Sequence, residues 1–229
     1  DEIIVQSPIY PPFFSVVSDN HRKVLHNPLH FDGRSYSIDF EHLKSVVSEK
    51  TKAILFCSPH NPVGRVWKKE ELLELGNFCI AHDLTIISDE VHSDLVYKPH
   101  KHTPFASLSL EIEKRCITCV GPGKTFNMSG LAISAIIVPE PKLRQKVQAV
   151  YDAMHFAQGN VFGHVAFESA YREGDMWVDE LCTYLAQSRD EVEQFCQSYL
   201  AKIVPVKLEG TYLLWLNCDA LGLNRKGLE

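Results

Sequence analysis

Short apolar runs recur along the chain, and turn-forming or polar residues bound each of them. Runs of this length and composition are typical of buried strands. Residues 53–57 are continuously apolar, as expected for a strand in a parallel sheet that is covered on both faces. The pattern predicts strands over residues 3–6, 22–26, 53–57, 84–88, 116–120, 133–138 and 210–216.

Amphipathic segments separate these runs, with apolar residues spaced three or four positions apart. Asp39 is a suitable N-cap for one of them. The alternation of helices and strands, without repeats, indicates an α/β fold with a mostly parallel sheet. The predicted helices begin near Tyr10 and Asp39 and cover residues 68–82 (with Leu72, Leu75, Cys79 and Ile80 inward), 141–156, 161–172 and 177–202 (with an apolar stripe of Trp177, Leu181, Tyr184, Leu185, Val192, Cys196 and Tyr199).

The composition narrows the class of protein. The 229 residues are 45% hydrophobic and 23% charged, enough for one sizeable core. The net charge is -6, and no cluster of Lys and Arg forms a stripe, which argues against a nucleic-acid or anionic-membrane partner. No apolar run approaches the length of a membrane span, and the first residues lack the regions of a signal peptide.

Seven cysteines are spread through apolar segments, as expected for reduced core residues of a cytoplasmic protein. Cys116 and Cys119 form a C-x-x-C pair, but residues three apart in a strand face opposite sides, which argues against a redox or metal pair. His92, Asp94, His100 and His102 are irregularly spaced and match no common zinc pattern. We therefore expect no metal site.

Lys124 lies between the predicted strands 116–120 and 133–138 and is flanked by small residues. Burial of an ammonium group is costly, so a lysine between core strands has a partner or loses its charge. A neutral lysine is a nucleophile, and its commonest use is a Schiff base with a carbonyl cofactor or substrate. The alternative is a loop lysine that points to water.

Other polar residues also follow predicted strands. Asp89 comes directly after residues 84–88, where a carboxylate in an apolar sheet calls for a cation. Tyr10 lies just past the first strand, at the sheet edge where α/β proteins bind ligands. Asn61 follows the strand 53–57, and His92 lies three residues after Asp89. The alternatives are a surface tyrosine, a turn asparagine and a histidine at a helix end.

Four sequence motifs carry a family resemblance: SPIY at residues 7–10, SPHNPVGRVW at 58–67, ISDEVHSD at 87–94 and GKTFNMSGL at 123–131. In this order and spacing they resemble the fold type I (aspartate-aminotransferase-like) enzymes that use pyridoxal 5'-phosphate (PLP). The sequences of these motifs are most similar to those of the C–S β-lyases of the cystathionine β-lyase type. The resemblance covers nearly the whole chain.

The resemblance implies a three-layer PLP-transferase large domain over residues 1–175, with its N-terminal part missing. Residues 176–229 would hold a connector helix and the start of an α+β small domain, whose first strand is residues 210–216. A chain that begins within a strand and ends in a polar segment looks like a fragment, and we expect the natural protein to be longer at both ends and a homodimer. The isolated chain is expected to have little activity.

The resemblance also implies roles for individual residues. Lys124 would hold the PLP aldehyde, and Asp89 would pair with the protonated pyridine nitrogen. Tyr10 would stack on the ring, while Asn61 and His92 would hold the phenolic oxygen. A cis bond before Pro62 would aim the Asn61 side chain.

The chain departs from the family pattern at Gly121 and Gly123, where the phosphate cup usually has hydroxyl residues. Backbone N–H groups at Gly123 could still bind phosphate. The expected function is PLP-dependent β-elimination on a cysteine-derived amino acid, giving pyruvate, ammonia and a thiol. Two alternatives stay open: a class I/II aminotransferase, and an inactive PLP-fold fragment or pseudoenzyme.

Overall fold

The computed structural model describes residues 1–155, 159–224 and 227, and in these ranges helices and strands alternate along the chain. Phe156, the last residue of one predicted helix, lies outside the described residues. The helices are α1 (Pro12–Asp19), α2 (Phe40–Val46), α3 (Lys69–Ala81), α4 (Leu110–Glu113), α5 (Pro141–Ala153), α6 (Val161–Glu173) and α7 (Asp175–Tyr199). The strands are β1 (Glu2–Val5), β2 (Lys23–His26), β3 (His30–Phe31), β4 (Tyr36–Ser37), β5 (Thr51–Cys57), β6 (Thr85–Asp89), β7 (Cys116–Val120), β8 (Ala135–Ile137), β9 (Val204–Pro205) and β10 (Leu216–Asn217).

A mixed sheet of six strands forms the centre of the molecule, in the order β2-β1-β5-β6-β7-β8. The first five strands are parallel, and β8 runs antiparallel to β7. Cys57 of β5 is paired with Asp89 of β6, which is in turn paired with Cys119 of β7. The carboxyl ends of these three strands therefore lie level with one another.

Side chains that alternate along β1 enter two different cores. Ile4 packs with α2 and α3 residues such as Leu43 and Leu72, whereas Ile3 and Val5 pack on the α1 side. Because helices lie on both faces of the sheet, the predicted α/β architecture in three layers is confirmed. Each fully buried Leu or Ile side chain contributes about 1.5–3 kcal/mol to this core.

The helix starts follow from local chemistry. Asp39 Oδ1 accepts a hydrogen bond from the His42 N–H at 2.9 Å, as the sequence predicts for an N-cap. At the start of α3, Glu71 Oε2 accepts from the Lys68 N–H at 2.9 Å. Of the four α3 residues predicted to face inward, three are fully buried, and Ile80 is partly buried against the same core.

Most of the strand predictions agree with the structure to within two residues. The prediction of a buried strand over residues 133–138 is wrong in one respect. In the described residues β8 is a short edge strand, and the side chains of Ile136 and Ile137 are 39% and 51% exposed. The run is apolar, but only one neighbour, β7, pairs with it there.

Residues 210–216 do not form the predicted strand. Thr211 has a φ of 69°, which interrupts an extended conformation. The backbone N–H groups of Glu209 and Gly210 donate to Gly64 O at 2.9 and 3.1 Å, and that of Thr211 donates to Leu95 O at 2.7 Å. Contacts with two loops thus take the place of an extended strand here, apart from an isolated antiparallel bridge between Gly210 and Val96, and β10 further along pairs antiparallel with β9.

Helix α7 is long and continuous, as predicted, but its apolar stripe is largely exposed. Trp177, Tyr184 and Tyr199 are 51%, 66% and 74% exposed, whereas Cys196 is buried. The predicted domain boundary between residues 175 and 176 falls at the start of this helix and stays a prediction. None of the helices in the described part of the chain combines the length and apolarity needed to span a bilayer.

Candidate active site

The predicted site residues follow four neighbouring parallel strands at their carboxyl ends. Tyr10 follows β1, Asn61 follows β5, Asp89 ends β6 and Lys124 follows β7. Open α/β sheets place their ligands at this edge because the loops of adjacent strands meet there. The sheet order therefore brings together residues that are far apart in the sequence.

Asp89 is the last residue of β6. Burial raises the pKa of its carboxyl group, while a hydrogen bond from the Val91 N–H at 3.2 Å and the positive charge of Lys124 act in the opposite direction. Because a carboxylate in such a place is poorly solvated, it gains from a cation placed against it. The prediction that Asp89 needs a cationic partner thus has a physical basis in the structure.

Lys124 is exposed, which corrects the expectation of a lysine buried between two core strands. Gly121, Pro122 and Thr125 of the same loop are buried, so the exposure is local to Lys124. The charge of Lys124 nevertheless acts on both groups: it offsets part of the rise that burial causes in the pKa of Asp89, and it adds to the fall that burial causes in the pKa of His92. The amine is thus accessible and lies within electrostatic reach of the other two groups.

His92 is almost completely buried, at 2% exposure. Burial, with a smaller contribution from the charge of Lys124, lowers the pKa of His92 to about 4. Its Nδ1 atom is buried without a hydrogen-bond partner among the described residues. The ring packs edge-on against Tyr212, with centroids 5.4 Å apart. At neutral pH, His92 is therefore a neutral imidazole whose Nδ1 atom can form a further hydrogen bond.

Asn61 and Tyr10 join the loops after β5 and β1. The Tyr10 N–H donates to Asn61 O at 3.2 Å, and the Asn61 N–H donates to Cys57 Sγ at 3.4 Å. The peptide bond between Asn61 and Pro62 is cis, as the resemblance implied. Tyr10 is 49% exposed.

The two glycines before Lys124 fit a tightly packed turn. A Cβ atom on Gly121 would lie 3.2 Å from Ile133 O, and one on Gly123 would lie 3.2 Å from Ser129 Oγ. Ser129 Oγ itself donates to Gly123 O at 3.1 Å. A side chain at either position would require its neighbours to shift by a few tenths of an ångström.

The structure adds a buried carboxylate that the sequence reasoning missed. Glu90 is 2% exposed and accepts hydrogen bonds from Ser88 Oγ at 2.8 Å and from the Phe105 N–H at 3.0 Å. It also contacts His102 Nε2 at 2.8 Å. The available signal was its place next to Asp89 in ISDEVHSD, where Glu90 starts the loop and faces the other side of the sheet.

Asp94 is the last residue of the ISDEVHSD motif, and from the sequence alone it is only a member of a possible metal cluster. Its Oδ2 atom accepts a hydrogen bond from Thr125 Oγ1 at 2.9 Å. Across the ranges that the structure describes, no group of His, Cys, Asp and Glu side chains could hold a metal ion. Asp94 is thus a contact of the Lys124 loop.

Comparison with known proteins identifies the class. The family profile of the aminotransferases of class I and II matches residues 1–227. The chain therefore belongs to the class I and II aminotransferase family.

Individual relatives agree with this assignment. The chain is 43% identical over 230 residues to cystathionine beta-lyase PatB of Bacillus subtilis, covering 100% of this chain and 59% of the relative. Cystalysin from Treponema denticola, whose structure contains PLP, superposes with a TM-score of 0.97 at 35% identity, over 100% of this chain and 58% of cystalysin. N-succinyldiaminopimelate aminotransferase from Mycobacterium tuberculosis superposes with a TM-score of 0.90 at 28% identity, over 100% and 58%. The chain thus spans less than two thirds of the length of these relatives.

Proposed function

We propose that the protein is a PLP-dependent C–S lyase that performs β-elimination on a cysteine-derived amino acid. The observation that carries this proposal is the placement of Asp89 and Lys124 at the carboxyl ends of adjacent strands, a poorly solvated carboxylate within reach of an accessible amine. The similarity to cystathionine beta-lyase PatB favours a lyase among the reactions that such a site supports.

The residues present fit PLP on two observations. Asp89 is a partly buried carboxylate whose pKa is raised by loss of solvation, so a protonated pyridine nitrogen would stabilise its charged form. His92 has a buried Nδ1 atom without a partner among the described residues, which suits a contact with the phenolic oxygen of the cofactor. Asn61 would contact the same oxygen, and Tyr10 would stack on the ring.

Gly123 would contribute to the phosphate cup through its backbone, because its position has no room for a side chain without a shift of Ser129. Successive backbone N–H groups in a turn can bind an anion without hydroxyl donors. The loss of two hydroxyl groups relative to the family pattern should weaken phosphate binding without abolishing it.

In the proposed mechanism, Lys124 Nζ would hold PLP through its aldehyde carbon. The same amine, once free, would act as the general base that takes the proton from the substrate Cα. When bound, PLP supplies an electron sink for the carbanion at that carbon. The Asp89 carboxylate would stabilise the proton on the pyridine nitrogen, which would keep the ring electron-poor.

The bond that then breaks is the one between the substrate Cβ and sulfur, and the thiolate leaves with a proton. Addition of water to the remaining three-carbon amino acid gives pyruvate and ammonia. Lys124 and Asp89 would support transamination in the same way, with Lys124 as the group that moves the proton. The similarity to N-succinyldiaminopimelate aminotransferase keeps an aminotransferase as the second candidate.

The proposed partner is a small amino-acid substrate, with a homodimer as the assembly of the natural protein. All cysteines in the described residues are free, which supports a reducing compartment such as the cytoplasm. A large domain over residues 1–175 and a connector helix from residue 176 complete the proposed organisation.

Product analysis distinguishes the candidates. The natural protein is purified at its full length, loaded with PLP and given cystathionine, with and without a 2-oxo acid as amino-group acceptor. Pyruvate, ammonia and a thiol without acceptor are expected for the lyase. Turnover that requires the acceptor would replace the lyase by the aminotransferase, and failure of PLP to attach to Lys124 would favour the inactive pseudoenzyme.

A further inference from the structure

Lys124 is itself exposed, and the next residue fixes its position. Thr125 is fully buried, and its Oγ1 atom donates a hydrogen bond to Asp94 Oδ2 at 2.9 Å. Adjacent Cα atoms are about 3.8 Å apart, so the position of Thr125 constrains the backbone from which the Lys124 side chain extends.

Asp94 belongs to the loop that begins at Asp89. The loop is short and internally bonded, since the Ser93 N–H donates to Glu90 O at 3.0 Å and the Leu95 N–H donates to His92 O at 3.0 Å. The Glu90 N–H donates in turn to Cys119 O of β7 at 2.9 Å. Asp94 is therefore held in register with the end of β6, five residues away.

Further contacts fix the hydrogen-bonded pair from the other side. Trp177 Nε1 on α7 donates to Thr125 O at 3.0 Å, and the Tyr171 hydroxyl on α6 lies 3.4 Å from Asp94 Oδ2. The pair of Asp94 and Thr125 thus lies where the loop of Asp89, the loop of Lys124 and two helices meet.

We propose that the hydrogen bond between Thr125 and Asp94, called the latch below, sets the position of Lys124 relative to Asp89. Both residues are therefore positioning residues for the cofactor. The inference rests on the proposed function, because it concerns the attachment of PLP to Lys124. A latch of this kind places the amine against the aldehyde before the two react. Both residues would act on the cofactor through the position of Lys124.

The test compares variants that differ by one hydroxyl group. Thr125→Val removes the donor with little change in shape, and Thr125→Ser keeps it. Thr118→Val is the matched control, because Thr118 is a buried residue of β7 whose Oγ1 atom has no hydrogen-bond partner among the described residues. Each protein is mixed with PLP, and the rate of pyridoxyl attachment to Lys124 is measured by borohydride trapping and peptide mass spectrometry.

We expect Thr125→Val to slow the attachment at Lys124 by about tenfold or more, since small displacements of a reacting group are costly in rate. The visible circular dichroism of the bound cofactor, which reports its fixed orientation, should also weaken. Thr125→Ser and Thr118→Val should both behave like the wild type. A folded Thr125→Val protein with the wild-type rate and dichroism would overturn the proposal.

A second variant keeps the test decisive if Thr125→Val does not fold. Asp94→Ala changes a partly exposed residue and should slow attachment to the same extent. The double variant, where it folds, should be no slower than either single variant, because both remove the same bond. Wild-type attachment in Asp94→Ala, or additive losses in the double variant, would contradict the latch. Absence of attachment at Lys124 in the wild-type protein would instead contradict the proposed function.

Discussion

Arg65 Nη1 donates a hydrogen bond to Glu209 Oε2 at 3.0 Å, although 144 residues separate the two. Their side chains are only 8% and 3% exposed. Glu71 accepts from Arg65 Nη2 through both carboxylate oxygens at 2.8 Å, and the Val66 N–H also donates to Glu209. This buried network holds the segment after α7 against the loop that carries Asn61.

The first prediction concerns this ion pair. Glu209→Ala should lower the free energy of unfolding by about 3–5 kcal/mol, because it leaves the Arg65 charge buried with one partner fewer. The matched control is Glu41→Ala, which breaks the exposed pair of Glu41 and Lys44 and should cost less than about 1 kcal/mol. Urea denaturation at neutral pH measures both. Equal losses in the two variants would contradict the expected role of burial.

The second prediction is that Lys124 is the residue to which PLP attaches. Borohydride reduction followed by peptide mapping should place the pyridoxyl group on Lys124. Of the lysines in the described residues, Lys124 is the one whose charge acts on the pKa of both Asp89 and His92. Lys124→Ala should abolish the modification. Lys142→Ala, which changes an exposed lysine at the start of α5, should leave it intact. A pyridoxyl group found on Lys142 or Lys146 instead would refute the assignment.

The third prediction concerns the proton on the cofactor ring. Asp89→Asn should keep the fold, since Asn can still accept the hydrogen bond from the Val91 N–H. It should slow removal of the substrate Cα proton by about 100-fold or more, because a neutral pyridine is a weak electron sink. Exchange of the Cα hydrogen with solvent deuterium, followed by NMR, measures this step.

Asp19→Asn is the control for that experiment, since Asp19 is an exposed residue at the end of α1. Its exchange rate should match that of the wild type. An unchanged rate in Asp89→Asn would remove Asp89 from the proposed mechanism.

The fourth prediction is a loss of stability in acid. Burial lowers the pKa of His60 to about 4, from an ordinary value of 6.5. Below pH 6.5 the unfolded chain therefore binds a proton that the folded protein does not accept until about pH 4, so stability falls as the pH falls through this window. The contribution of this fully buried ring is on the order of 3 kcal/mol.

His60→Gln should reduce the slope of unfolding free energy against pH between 6.5 and 4, while its amide can still donate to Pro8 O. His21→Asn is the control, because His21 is exposed and its φ of 57° suits asparagine. Denaturation series across this pH range give the two slopes. If both variants kept the wild-type slope, His60 would not be the source of the acid sensitivity.

Much of the sheet and the strand-end position of Asp89 could be predicted, because buried parallel strands leave continuous apolar runs in the sequence. The exposure of Lys124 could not, since it depends on how the loop after β7 packs, which buries Thr125 and leaves Lys124 exposed. Residues 210–216 were wrongly predicted as a strand because their apolar pattern does not reveal that Thr211 adopts a positive φ against Leu95. The contact of Asp94 with Thr125 joins segments 31 residues apart and leaves no local signal.

The docking of residues 209–211 onto Gly64 and Leu95 has a consequence for how the molecule opens. The amide hydrogens of Glu209, Gly210 and Thr211 are bonded to the loops that follow β5 and β6, whereas α7 exposes most of its apolar stripe. Amide exchange at these three positions should therefore follow the opening of the central sheet, while α7 exchanges earlier as a separate cooperative unit. The segment after α7 then unfolds together with the central sheet, which the earlier part of the sequence forms.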